Sequence, residues 1–148
     1  MERPQNLAVE LKCIANLMRR MVEHHPDRNQ FLNLTSMQIW VMEYLYINQD
    51  KEIFQRDLET EFQVRRSTIT GILQGMEKKN LIRREPVERD ARLKQLIPTQ
   101  EALDLFKDCL KEVDEFEAVM LKGVTQEELD LFLTVIEKIK SNLEGNIT

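Results

Sequence analysis

The stretch from Gln55 to Thr99 constrains this chain more than any other. It reads QRDLETEF, then QVRRSTITGILQGMEKKN, then LIRREPVERDARLKQLIPT. Its apolar spacing predicts a short helix, a tight turn, a second helix and a basic β-hairpin. The second helix carries the most information. Ile69, Ile72, Leu73 and Met76 recur at offsets of three and four, so they share one face and bury it. At about 100° per residue, the opposite face carries Ser67, Gly71, Gln74 and Lys78, with Thr70 at its edge. That face is short, polar and nearly free of acid. A glycine in mid-helix costs roughly 1 kcal/mol against alanine. At an exposed position it makes sense where another body, such as a groove of DNA, must approach the backbone closely.

Charge points the same way. Residues 65–95 hold Arg65, Arg66, Lys78, Lys79, Arg83, Arg84, Arg89, Arg92 and Lys94. Against these nine bases stand four acids, Glu77, Glu85, Glu88 and Asp90, a local charge of +5. The whole chain is −5, so the remaining residues sum to −10. A basic island in an acidic chain suits a local anionic partner. A merely solvated surface would explain the charge alone, but less well the charge together with two helices and a hairpin.

LTSMQIWVMEYL, QRDLETEFQVRRSTITGILQGMEKKNLIRR and ERDARLKQLIPT, in this order, resemble the winged helix-turn-helix of the MarR family of bacterial transcription regulators. The match covers roughly Leu34 to Ala102, and Asp90 with Arg92 is its sharpest piece. The resemblance implies a mostly α fold with a small β-hairpin wing. Residues 1–148 would form a single domain, with 35–99 the winged helix-turn-helix and 4–24 and 100–145 the N- and C-terminal dimerisation helices. It also implies a ligand-responsive homodimeric repressor of double-stranded DNA. A two-fold dimer presents two recognition helices and so reads a pseudo-palindromic operator.

The DNA contacts expected from this divide by chemistry. Arg66, Ser67, Thr68, Thr70 and Gln74 face bases or phosphates. Glutamine suits a bidentate contact with adenine, and serine and threonine suit either base. Arg65, Arg66, Lys78 and Arg84 position the protein on phosphates. The wing tip holds Arg89, Asp90 and Arg92. By resemblance, Arg92 enters the minor groove while Asp90 holds an arginine in place; a guanidinium suits the negative potential of a narrow A·T-rich groove. Where relatives more often have serine or threonine as the helix cap, this chain has Arg65. Where they have glycine at the helix end, it has Asn80, which tolerates a left-handed turn.

The rest of the chain is read in order. Pro4 suits a helix start, and Leu7, Leu11, Ile14, Leu17, Met18 and Met21 continue at helical spacing to about Glu23, where His24-His25-Pro26 ends the run. Asp27 to Leu34 reads as a loop. Thr35 and Gln38 fit a capping box before an apolar helix placed at the middle of the domain, closed by Asn48-Gln49-Asp50. Lys51 to Phe54 is predicted to be a short strand pairing with the hairpin. Gln55 to Phe62 forms the first helix of the motif, and Val64 plugs the turn. The hairpin strands are Leu81–Val87 and Leu93–Pro98, joined by residues 88–92. Thr99 caps a helix to about Lys122, and Thr125 with Glu128 caps a last one ending near Gly145. These two helices and the N-terminal one carry more apolar surface than one small winged domain covers.

Other chemistry finds little support. There is no Gly-rich phosphate loop, nucleophile elbow or HExxH, and no triad pattern, so no enzyme is expected. No cofactor or metal is expected either: His24, His25 and Cys13 form no compact ligand set. Two cysteines make no disulfide framework. Cys13 beside Lys12 is a candidate redox sensor, weighed against a small buried hydrophobe. By resemblance, a small aromatic or phenolic effector would bind between the dimerisation helices and the winged domain, against Leu17, Met21, Trp40, Tyr44 and Phe106. Core packing is the simpler use of such a stripe. No apolar run approaches the ~20 residues that span a bilayer, and the N-terminus lacks a signal peptide's apolar core, so a cytoplasmic protein without membrane partners is expected. A protein-interaction module built on the same scaffold remains the alternative function class.

Overall fold

The computed structural model describes residues 6–24 and 34–147. Among them are six helices and a two-stranded antiparallel sheet: α1 (Leu7–Glu23), α2 (Ser36–Ile47), α3 (Gln55–Glu61), α4 (Arg66–Lys78), β1 (Ile82–Val87), β2 (Asp90–Pro98), α5 (Gln100–Met120) and α6 (Gln126–Glu144). The chain divides into two compact units, Met1–Cys109 and Leu110–Thr148, with the division inside α5.

In the first unit the core gathers Val41, Met42 and Leu45 of α2, Leu58 of α3, Ile69, Leu73 and Met76 of α4, and Ala102, Phe106 and Cys109 of α5. Ile53, Leu81, Ile82, Val87 and Leu96 close it from the sheet side. The α2 cap forms as its residues predict. The Gln38 N–H donates to Thr35 Oγ1 at 3.2 Å, and the Thr35 N–H donates to Gln38 Oε1 at 3.1 Å. α1 begins at Asn6, whose Oδ1 accepts the Ala8 N–H at 3.1 Å. Its end is closed by His24, with Nδ1 2.8 Å from Arg20 O. Pro4, His25, Pro26 and most of the predicted loop lie outside the described residues.

Two elements differ from the sequence reading. Lys51–Phe54 forms no strand but a single bridge, Phe54 to Gln95, with the Leu96 N–H donating to Ile53 O at 2.7 Å. Asp57 explains this: its carboxylate takes the Phe54 N–H at 2.8 Å, so that group starts α3 instead of extending a ladder. The hairpin is also tighter than predicted. Val87 pairs with Asp90, leaving Glu88 and Arg89 as its tip. The register slips between Pro86 and Val87. Proline supplies no N–H to the ladder, so regular pairing cannot continue past it.

In the second unit, α5 runs out to Met120 and the chain turns at Gly123, whose φ of 82° only glycine adopts without strain. α6 starts on the predicted cap, the Glu128 N–H on Thr125 Oγ1 at 3.2 Å and the Thr125 N–H on Glu128 Oε2 at 2.9 Å.

Candidate nucleic-acid interface

The interface is built on α4. Ile69, Leu73 and Met76 are fully buried, which orients the helix and turns Ser67, Thr68, Gly71, Gln74 and Lys78 outward, all exposed. Arg65 supplies the extended residue before the helix but no side-chain cap. Its guanidinium is left free of the helix. The turn before it holds Gln63 at φ 50°, a left-handed residue that the sequence does not announce. Its Nε2 donates to Thr60 O at 2.8 Å. Asn80, at φ 56°, ends the helix as its residue type predicts.

The nine bases fall into two groups. Arg83 lies 3.7 Å from Glu85, Arg84 3.2 Å from Glu77 and Arg89 2.6 Å from Glu52, while Lys79 donates to Gln38 Oε1 at 2.8 Å. Among the described residues, no side-chain partner holds Arg65, Arg66, Lys78, Arg92 or Lys94. These five are the bases available to an outside anion. Arg89 is drawn back toward the body, with its guanidinium also 5.7 Å from the Phe54 ring centre. Asp90 accepts the backbone N–H of Arg92 at 2.9 Å. It therefore shapes the start of β2 at Arg92 through the backbone, not by gripping a guanidinium.

Thr70 and Arg84 stand differently from the rest of the expected DNA set. Thr70 Oγ1 donates to Arg66 O at 2.7 Å and accepts from Gln55 Nε2 at 2.8 Å. Gln55 Oε1 in turn accepts from Arg84 Nη1 at 3.4 Å. Gln55, which sequence reasoning passed over, is the hub of this cluster. Its partners Thr70 and Arg84 lie 15 and 29 residues away, a distance at which no local pattern would reveal it.

Among the described residues, no ring contact joins Trp40, Tyr44 and Phe106, the three aromatic effector candidates, to one another. Phe106 packs on Tyr46 with ring centres 5.3 Å apart, and Tyr44 meets Phe62 edge-on at 6.1 Å. Burial, then the Glu61 and Asp57 carboxylates, raises the Tyr44 phenol above its ordinary value. Trp40 and Leu17 are exposed, and Met21 is half-buried. Cys13 is exposed and Cys109 buried. Among the described residues no group of His, Cys, Asp and Glu is disposed to hold a metal, and no helix is long and apolar enough to cross a membrane.

Known proteins share this fold. A sequence model of the MarR family matches residues 32–93. YybA, an uncharacterized HTH-type transcriptional regulator of Bacillus subtilis (strain 168), is 26% identical over 105 residues, spanning 69% of this chain and 70% of its own. S. aureus MepR, crystallised as a DNA complex, has the same fold, with a TM-score of 0.81 at 23% identity over 94% of this chain and 99% of its own. The transcription regulator MarR from Oenococcus oeni PSU-1 is 32% identical, with a TM-score of 0.78 over 92% of this chain and 99% of its own. An identity of that size, held over nearly the full length of both chains, goes beyond shared fold: this chain belongs to the MarR family of transcription regulators, and its work is regulation rather than catalysis.

Proposed function

We propose that this regulator binds duplex DNA as a two-fold homodimer and represses transcription from a pseudo-palindromic operator. α4 lies in a major groove and the hairpin tip in the adjacent minor groove. The observation that carries this reading is the outward face of α4. It is polar, has no acid among Ser67, Thr68, Gly71 and Gln74, and has nothing among the described residues within 4 Å of where a Gly71 Cβ would stand. Ser67, Thr68 and Gln74 read base edges, while Arg65, Arg66 and Lys78 hold phosphates. Arg92, on β2 just past the tip and held by no side-chain partner among the described residues, enters the minor groove. S. aureus MepR and a MarR-family protein of Listeria monocytogenes, both crystallised with DNA, support the same use of this fold. The regulator would act in the cytoplasm, with the DNA.

Uncovered apolar surface supports the dimer. Neither α1 nor α6 has a buried residue, and Leu17, Leu131 and Leu143 are each 60% exposed or more. Faces of this kind on single chains are what a symmetric partner covers. The winged helix-turn-helix would then span 35–99, with 4–24 and 100–145 forming the dimer. An aromatic or phenolic effector would act near Leu17, Met21, Trp40, Tyr44 and Phe106.

Selection of bound fragments from random DNA, followed by fluorescence anisotropy, tests the function. The selected duplex should bind about 10³-fold or more tighter than random duplex. Equal affinity for both, or none for either, would favour the protein-interaction role instead. For the effector, a panel of aromatic acids should raise the melting temperature and release DNA; no shift with any of them counts against this ligand class.

A further inference from the structure

Along one flank of α4 runs a chain of polar contacts that joins both of its ends to two other elements. In the first turn, Arg66 O accepts from Thr70 Oγ1 at 2.7 Å and lies 3.4 Å from Gln55 Nε2. Gln55, the first residue of α3, also donates from Nε2 to Thr70 Oγ1 at 2.8 Å and Glu59 Oε1 at 3.1 Å. Its Oε1 accepts from Arg84 Nη1 of β1 at 3.4 Å. Arg84 Nε then stands 3.2 Å from Glu77 Oε2 in the last turn of α4. The recognition helix is thus tied at its start through Gln55 and at its end through Glu77. Both ties meet at one guanidinium on the wing strand.

That guanidinium is mostly enclosed. The Arg84 side chain is 24% exposed, and its Nε and Nη2 are sealed from water without an aligned hydrogen bond. A cation in that position is balanced by the charge beside it, the Glu77 carboxylate, and would leave the cluster to reach a phosphate. Glu77 is otherwise out of place, since it puts a negative charge on a helix that faces DNA.

We propose that Arg84 and Glu77 are positioning residues for DNA recognition. Their ion pair, with Gln55 as the bridge, sets the spacing between α4 and the wing, so that the helix and Arg92 reach adjacent grooves together. The proposal rests on the DNA-binding reading above. It makes Arg84 a strut where the sequence suggested a phosphate contact.

The test uses the full chain with Glu77→Gln, Arg84→Lys and Arg84→Met. Each binds selected and random duplex across a salt series, and melting temperature confirms folding. Removing an acid near DNA by itself raises affinity for every duplex. Positioning reverses that sign: Glu77→Gln should weaken the selected duplex about tenfold while random duplex binds as before or better. Arg84→Lys should fare no better than Arg84→Met, since a single ammonium lacks the planar fork that holds Gln55 and Glu77 on two separate nitrogens. Both should keep the wild-type salt slope. If Arg84 instead holds a phosphate, Arg84→Lys retains affinity, and Arg84→Met weakens both duplexes alike and lowers the slope by about 0.9. That result overturns the proposal, as does tighter binding of both duplexes by Glu77→Gln. Should an Arg84 variant fail to fold, the near-isosteric Glu77→Gln decides alone. A wild type with no preference for any duplex defeats the DNA reading itself, before any variant is compared.

Discussion

Gly71 and Gly75 sit one turn apart on α4 and are glycines for different reasons. A Cβ on Gly75 would stand 3.0 Å from Gln38 Nε2, the side chain that also closes the α2 cap and receives Lys79. That glycine serves packing. A Cβ on Gly71 would meet nothing within 4 Å. Among the described residues there is therefore no internal reason to forgo a side chain there. Gly71→Ala should raise stability by up to about 1 kcal/mol, read by thermal melting, while weakening the selected duplex in anisotropy. Unchanged DNA affinity would remove the close-approach argument. Arg92 is the complementary case. Arg92→Ala should weaken binding and lower the salt slope by about 0.9, as expected when one phosphate-type contact and its counterion release are lost. An unaltered slope and affinity would rule out a DNA contact there.

At the scale of elements, the helix ends organise the first unit. Thr99 Oγ1 donates to Asn80 O at 2.8 Å and accepts the Ala102 N–H at 3.2 Å, so one hydroxyl joins the end of α4 to the start of α5. Asn80 Nδ2 adds a bond to Glu101 Oε2 at 3.1 Å. Thr125 does a single job by comparison, capping an exposed helix. Thr125→Ala should cost about 1 kcal/mol in denaturant unfolding. Thr99→Val should cost more, about 1–3 kcal/mol, because it leaves a carbonyl at the α4 end and an N–H at the α5 start without a partner. The reverse order would mean that the junction between α4 and α5 is not held by this hydroxyl. The wing shows the same dependence on single residues: Pro86 interrupts the ladder and the Asp90 carboxylate folds the tip around the Arg92 N–H.

The whole molecule is acidic, and its basic surface is concentrated in α4 and the wing. The acidic remainder includes α5 and α6, and the apolar residues of α6 find little cover among the described residues. Leu131, Phe132, Leu133 and Leu143 are each at least half exposed. In sedimentation the wild type should run as a dimer. Phe132→Glu should shift it toward the single chain and weaken the selected duplex, since one chain engages one half-site. A wild type that sediments as a monomer would undo the two-fold operator.

The sequence by itself determined the order of the elements, the buried face of α4, three helix caps and the left-handed Asn80. All of these follow from interactions within a few residues, where spacing and side-chain type are sufficient. Only the tertiary structure decided how the bases are shared out. Glu52, Glu77, Glu85 and Gln38 hold Arg89, Arg84, Arg83 and Lys79, and leave Arg65, Arg66, Lys78, Arg92 and Lys94 outward. It also decided that Gln63 takes a left-handed turn, that Lys51–Phe54 makes one bridge instead of a strand, and that Gln55 joins α3, α4 and β1. The pairs Arg89–Glu52, Lys79–Gln38, Phe54–Gln95 and Arg84–Gln55 depend on partners tens of residues apart, which meet only once the core has set the distances between the elements that carry them.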